Sequence, residues 1–314
     1  MGLTTSKPQP ARWQTLEETP EICARRGSNI YPFPGCRWGK EPPCNDRRFV
    51  VPAGRVSWAA SMLSLANLSA PLDGLEIGAC GAPIRMPSGV RMVYADIGSN
   101  TGAALCYYSG ENSQAIQLID DAEVLRKVAS SSKDVVIASH VLEHAHRTLK
   151  TLHTWLRVLK PGGVAMFILP DMCDRERDGD HFRLATEASH FVEEYREHNA
   201  SNRNHHEHLR EAALNAFGFD KRLKGERIPR VLPSYLRADD LSRYVRQYEA
   251  VPHAAHLHTW TLPTLRRMLH AAQAEFRPLA FALLDVAAYY GPTNDVSGTR
   301  SLELRVALLK IRSG

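Results

Sequence analysis

The stretch Asp134–Asp171, DVVIASHVLEHAHRTLKTLHTWLRVLKPGGVAMFILPD, constrains this chain more than any other. Residues 134–139 are mostly β-branched or apolar, as a strand buried on both faces requires. Leu149, Leu152, Leu156 and Leu159 then recur at helical spacing and form one apolar stripe. Pro161, Gly162 and Gly163 follow, residues that break or cap a helix, and Val164–Leu169 reads as a second buried strand. The unit is strand–helix–strand. A crossover of that kind joins parallel strands, so the chain is α/β with a doubly wound sheet.

The flanking sequence extends this unit into a domain. Residues 55–68, RVSWAASMLSLANL, predict an apolar-faced helix leading into a core that runs to Asp171. Within that core, strands are expected at Leu75–Ile77, Arg91–Asp96 and 115–119. A helix is expected over 122–129. Residues 262–276 predict an amphipathic helix. PLAFALLDVAAYY and SLELRVALLKIR then read as two strands joined by a turn-rich link. Four parts follow: an irregular N-terminal arm (1–54), the core (55–171), a charged, mostly helical insertion (172–255) and a C-terminal completion of the core sheet (256–314). The arm is expected to pack over the active site.

Bulk properties exclude several classes. No run of 18 apolar residues occurs, so no membrane-spanning helix is expected. The start, MGLTTSKPQPARW, lacks the apolar centre of a secretory signal, and its Gly2…Ser6 match to an N-myristoylation pattern is a common chance occurrence. The six cysteines show no CxxC spacing and read as free thiols in a reducing cytoplasm. A net charge of +5 does not demand a polyanionic partner.

Ligands of open α/β sheets bind at the carboxyl ends of the strands. Here those ends are chemically marked. Glu76 and Gly78 close the first core strand and lead into the turn GACGAP, with Cys80 and Gly81, where missing Cβ atoms permit close backbone approach. The next strand ends on Asp96, followed by Ile97, about twenty residues downstream; a carboxylate there can accept two ribose hydroxyls. Asp120 and Asp121 close the third strand, one of them a cap for the helix that follows. Ser139 and His140 leave the fourth.

Taken with the words SHVLEH (139–144) and LKPGG (159–163), these strand ends resemble the class I S-adenosylmethionine (SAM) methyltransferases. That resemblance implies a Rossmann-like sheet with an antiparallel last strand and SAM as cofactor. It also implies an acidic residue at 120–121 that binds the adenine amino group. Cys80 departs from the usual glycine spacing. More narrowly, residues 72–312 resemble a bacterial branch of the type 11 methyltransferases. The matching features are Pro83 and Pro87, Pro170–Asp171, His190 near Tyr195, His205, and the HxHxW word His256–Leu257–His258–Thr259–Trp260. Association of that branch with cell-surface glycans suggests a sugar or other polar acceptor. Met172 replaces a lysine common in relatives, so the acceptor can differ.

Nine of the fourteen histidines lie between His181 and His258. His181, His198, His206 and His208 are read as solvated, and His144 as structural. His140 is either a general base for the acceptor or part of the cofactor wall. Asp171, His190, His205, His256 and His258 form a candidate set, either for acid–base work or for a divalent transition metal. In an extended stretch His256 and His258 share a face, which aims both at the acceptor near Asp171. Tyr195 and Arg203 are further polar contacts of the insertion.

The reading is therefore a cytoplasmic SAM-dependent methyltransferase acting on a small-molecule substrate. A hydroxyl is the first-choice acceptor, and an amino-acid-like N, S or carboxylate the second, with metal assistance possible in principle. One rival is a nucleic-acid methyltransferase or binding protein, through the basic run Lys221–Arg230. That run has no interleaved aromatics, and no (D/N)PPY-type word follows the fourth strand. The other rival is a non-catalytic SAM-fold protein, given Cys80.

Overall fold

The computed structural model describes residues 16–17, 48–50, 54–79, 83–97, 116–172, 180, 185–197, 208, 255–292 and 300–311. In chain order the elements are β1 (Leu16–Glu17), β2 (Arg48–Val50), α1 (Arg55–Leu65), β3 (Leu72–Ile77), β4 (Val90–Asp96), β5 (Leu118–Ile119) and β6 (Lys133–Ser139). A 3-10 turn (Leu142–His144) then precedes α2 (Thr148–Val158), β7 (Leu159–Pro170), α3 (Ala188–Arg196), α4 (Leu262–Glu275), β8 (Phe281–Pro292) and β9 (Arg300–Lys310).

The strands form one sheet in the order β1-β2-β8-β9-β7-β6-β3-β4-β5. β5, β4, β3, β6 and β7 run parallel, and β9 inserts antiparallel between β7 and β8. Alternation divides the strand residues between two layers. Val135, Ile137, Val164, Met166 and Ile168 pack under α1 with Trp58 and Met62. Val136, Ala138, Ala165, Phe167 and Leu169 pack against Leu152, Trp155, Phe191, Leu265 and Met268 on the opposite face. The continuous apolar runs are thus needed because each strand is covered on both sides.

Chain order reverses between β3 and β6, and their carboxyl ends open the crevice in which such sheets bind ligands. No helix among the described residues is long and apolar enough to cross a membrane.

Of the N-terminal arm, the described β1 and β2 extend the far edge of the sheet beside β8. Two expectations are corrected. Residues 122–129 form turns, not a helix. Leu125 has φ +45, and side chains of α2 take the carbonyls a helix would use. Trp155 Nε1 donates to Ala122 O, Thr154 Oγ1 to Glu123 O, and Arg157 to the carbonyls of Val124, Leu125 and Val128. Finally, α2 stops at Val158, and the Pro-Gly-Gly residues lie within β7, where Gly162 takes φ +86.

Candidate active site

The crevice is built on two unusual backbone positions. Gly78, just past β3, has φ +68, and its N–H bonds Ala95 O at 2.8 Å. A Cβ there would meet Val141 Cγ2 at 2.4 Å, so both conformation and space require glycine. His140, just past β6, has φ +55 and is held by a 2.9 Å bond from its N–H to Ile168 O. A non-glycine residue in this region carries strain, which clusters at functional sites. Ser139 sits beside it, half-buried, in register with Ile168.

Each acidic strand end has a distinct environment. Asp96 is half-buried at the tip of β4, and its Oδ1 accepts the N–H of Ile97 at 2.7 Å. Ile97 and Ile119, at the tips of neighbouring strands, are 41% and 48% exposed, an apolar pair flanking the Asp96 carboxylate. Asp120 spends its oxygens on the N–H groups of Asp121 and Lys127, and Asp121 accepts the N–H of Glu123. Both organise the turns after β5. Glu76 is buried, and its Oε1 accepts Ile84 N–H at 2.8 Å. Burial pushes its carboxyl up to about 8, against the opposing pull of that N–H and of the Arg55 charge. Glu76 therefore pins residues 83–87 from below. Cys80 and Gly81 lie outside the described residues.

His140 has a carboxylate behind it. Its Nδ1 lies 3.3 Å from Oε1 of the fully buried Glu143, while the imidazole itself stays one-third exposed. Burial would raise the Glu143 carboxyl. The His140 contact, with the charges of His144 and His256, offsets this and leaves it lowered. An imidazole backed by a buried carboxylate and open on its other side can take a proton and be stabilised as a cation.

Residues 78–167 match the Methyltransf_11 family, a methyltransferase domain. That match covers the stretch from the end of β3 to within β7, the parallel half of the sheet. Among solved structures it is similar to a SAM-dependent methyltransferase from Methanosarcina mazei, 14% identical over 80% of this chain and 98% of that one, with a TM-score of 0.40. It is similar also to the CurJ carbon methyltransferase, 17% identical over 78% of this chain, with a TM-score of 0.36; this chain spans 50% of that longer one. A third likeness is to a structure concerned with conversion of a disulfide bond into a thioacetal group during echinomycin biosynthesis. It is 14% identical over 87% and 88% of the two chains, with a TM-score of 0.38. Curated protein sequences give no match.

SAM is the cofactor of this family, and the crevice fits it. Asp96 presents a hydroxyl acceptor, and the exposed Ile97 and Ile119 beside it offer apolar surface for a base.

Beyond the crevice, described histidines gather into two clusters. In the first, His190 and Glu194 lie one turn apart on α3 and meet His208 and His258. Glu194 Oε1 lies 3.1 Å from His190 Nε2 and 2.7 Å from His208 Nε2; Oε2 faces His258 Nε2 at 3.4 Å. Burial would raise the Glu194 carboxyl, but the three imidazoles hold it far below the usual carboxylate range. Burial lowers His258 to about 4, against the raising effect of Glu194. In the second cluster, His144 and His256 lie edge to face at 4.8 Å, near Glu143. His256 Nδ1 contacts Asp180 Oδ2 at 2.6 Å, and His144 Nδ1 contacts Ala255 O at 2.9 Å.

This arrangement redraws the expected set. His256 and His258 do not share one site. Leu257 and His258 both donate their N–H groups to Glu143 O, at 2.7 and 3.2 Å. Consecutive N–H groups of an extended strand point in opposite directions and could not do this, so alternation does not apply. Neither cluster includes Asp171, which is buried and bridges through its backbone to Trp260. His208 is buried, not solvated. Tyr195 turns away, packing on Phe276 and His153. His205, Arg203, His181, His198, His206 and the basic run at 221–230 lie outside the described residues. Glu143, Asp180 and Glu194 were not anticipated. Glu194 and Glu143 had a legible signal, their i, i+4 and i, i+3 spacings from His190 and His140.

Proposed function

We propose that this protein transfers a methyl group from SAM to a hydroxyl of a small polar molecule, with amino-acid-like acceptors as the second choice. The observation that carries this reading is the His140–Glu143 pair at the carboxyl end of β6, beside the β3–β6 crevice. When bound, SAM supplies an electrophilic methyl group. Asp96 would hold its ribose hydroxyls, and the exposed Ile97 and Ile119 would contact its base. A hydroxyl near neutral pH is a poor nucleophile until it loses its proton. The outward nitrogen of His140 would accept that proton, and Glu143 would stabilise the resulting imidazolium. A carboxylate acceptor would need no such base, which favours the hydroxyl.

The test uses labelled SAM with the small-molecule fraction and, separately, the nucleic-acid fraction of a cell extract. Label entering a small hydroxylated product supports the reading; label entering nucleic acid alone overturns it. In His140→Gln, turnover should fall by roughly 10²–10⁴-fold while affinity for S-adenosylhomocysteine stays near wild type. Unchanged turnover would remove His140 from the chemistry.

A further inference from the structure

The first histidine cluster has more organisation than packing requires. Three imidazoles from three separate stretches of chain direct their Nε2 atoms at one buried carboxylate, that of Glu194. Three of the four residues are buried, and His190, one-third exposed, forms the open side. The four potential ligand atoms all lie within 4.8 Å of one another. Ligand atoms about 2.0–2.2 Å from a tetrahedral metal lie roughly 3.3 Å apart, close to the contacts seen here.

The surroundings also suit a metal. His258 is fixed at its other ring nitrogen, Nδ1, which lies 3.2 Å from Thr148 Oγ1 at the start of α2. Such a partner orients a ligating histidine. The tautomer that donates from Nδ1 to Thr148 turns a bare Nε2 lone pair toward Glu194 Oε2, where two lone pairs repel unless a cation lies between them. The ligand-bearing elements are rigid. Phe191, between His190 and Glu194, is buried and stacks on Trp260 at 5.8 Å with planes 9° apart. The N–H groups of Leu257 and His258 are anchored to Glu143 O.

We propose that His190, Glu194, His208 and His258 form a binding site for one divalent transition-metal ion. Three imidazoles and one carboxylate suit zinc or its first-row neighbours and do not suit magnesium or calcium, which take oxygen ligands. The ion joins α3 and the His208 segment to the HLHTW stretch and, through Thr148, to α2. His190 is the most exposed of the four, its side chain one-third accessible. The site involves neither Asp171 nor His256. It does not depend on the acceptor proposed above.

The test uses the full-length protein without a histidine tag. Metal content is measured by mass spectrometry after purification. The chelator-stripped protein is then titrated with cobalt(II), whose visible absorption reports nitrogen-rich low-coordinate binding without reference to activity. The wild type should hold about one equivalent and melt at higher temperature with added zinc. Glu194→Gln and His258→Gln should each lose the cobalt spectrum, while His256→Gln keeps it. Should the buried variants fail to fold by circular dichroism, His190→Gln, at the open edge, replaces them and should weaken binding at least tenfold. Folded wild-type protein with no bound metal, no cobalt spectrum and no zinc-dependent shift in melting overturns the site. So does a spectrum lost in His256→Gln but kept in Glu194→Gln. Stoichiometric metal without methyl transfer would leave this site standing and count against the function proposed above.

Discussion

Glu76 provides a quantitative probe of the floor beneath the cofactor loop. Its carboxyl is buried, its Oε1 is used by Ile84 N–H, and its Oε2 is buried without a hydrogen-bond partner. Burial raises its pKa from 4.5 to about 8. Because the folded value exceeds the unfolded one, the stability linked to this proton is fully present below about pH 4.5 and is lost as pH rises toward 8. At pH 7 the native state holds a proton that the unfolded chain has released. Two and a half pH units at about 1.36 kcal/mol each make this a penalty of about 3 kcal/mol. Glu76→Gln keeps the shape and the acceptor for Ile84 N–H but cannot ionise. Its extra unpaired N–H costs about 1 kcal/mol at any pH. The stability difference between variant and wild type should therefore move by about 2–3 kcal/mol in favour of the variant between pH 5 and pH 7. Urea unfolding of the ligand-free proteins at both pH values measures this, and every other titrating group cancels in the comparison. A difference that stays constant within about 0.5 kcal/mol would show Glu76 to be ionised in the folded protein and refute the argument.

Two further substitutions probe the crevice. Asp96→Ala should weaken S-adenosylhomocysteine binding by about 10- to 100-fold in calorimetry, the loss of one charge-assisted hydrogen-bonding group worth roughly 1.5–3 kcal/mol; unchanged affinity would remove the ribose assignment. Gly78→Ala should destabilise by about 1–2 kcal/mol for its positive φ alone, with an added clash against Val141. Val141→Ala in the same chain should restore the steric part only, so two changes that simply add in thermal melts would contradict the contact.

The fold was legible where a residue's role is set by its neighbours in sequence. A strand segment buried on both faces must be apolar, and Val135–Ala138 of β6 and Val164–Leu169 of β7 are. The helix expected at 262–276 is observed at Leu262–Glu275, opened by a capping box between Thr261 and Thr264. The misread segment, 122–129, has helix-forming residues, but its carbonyls are taken by Trp155, Thr154 and Arg157 some thirty residues away. No local pattern announces a competitor at that distance. The edge strands β1 and β2 were illegible for a related reason: two or three residues carry no measurable period.

Both histidine clusters depend on one residue of the SHVLEH word. The side chain of Glu143 lies between His140 and His144, while its carbonyl receives the N–H groups of Leu257 and His258. A main-chain oxygen has no letter of its own, so the turn it imposes on the HLHTW stretch could not be read from alternating residue types. That turn sends His256 to Asp180 and His258 to Glu194, separating two side chains that a strand would have kept together. The consequence for function is a division of labour within a few residues. The His140–Glu143 pair stands at the crevice where proton transfer is proposed, and the fully buried His258 joins a separate cluster with His190 and Glu194 of α3 and His208. A perturbation of Glu143 should therefore reach both sites, whereas His140 and Glu194 should be separable by mutation.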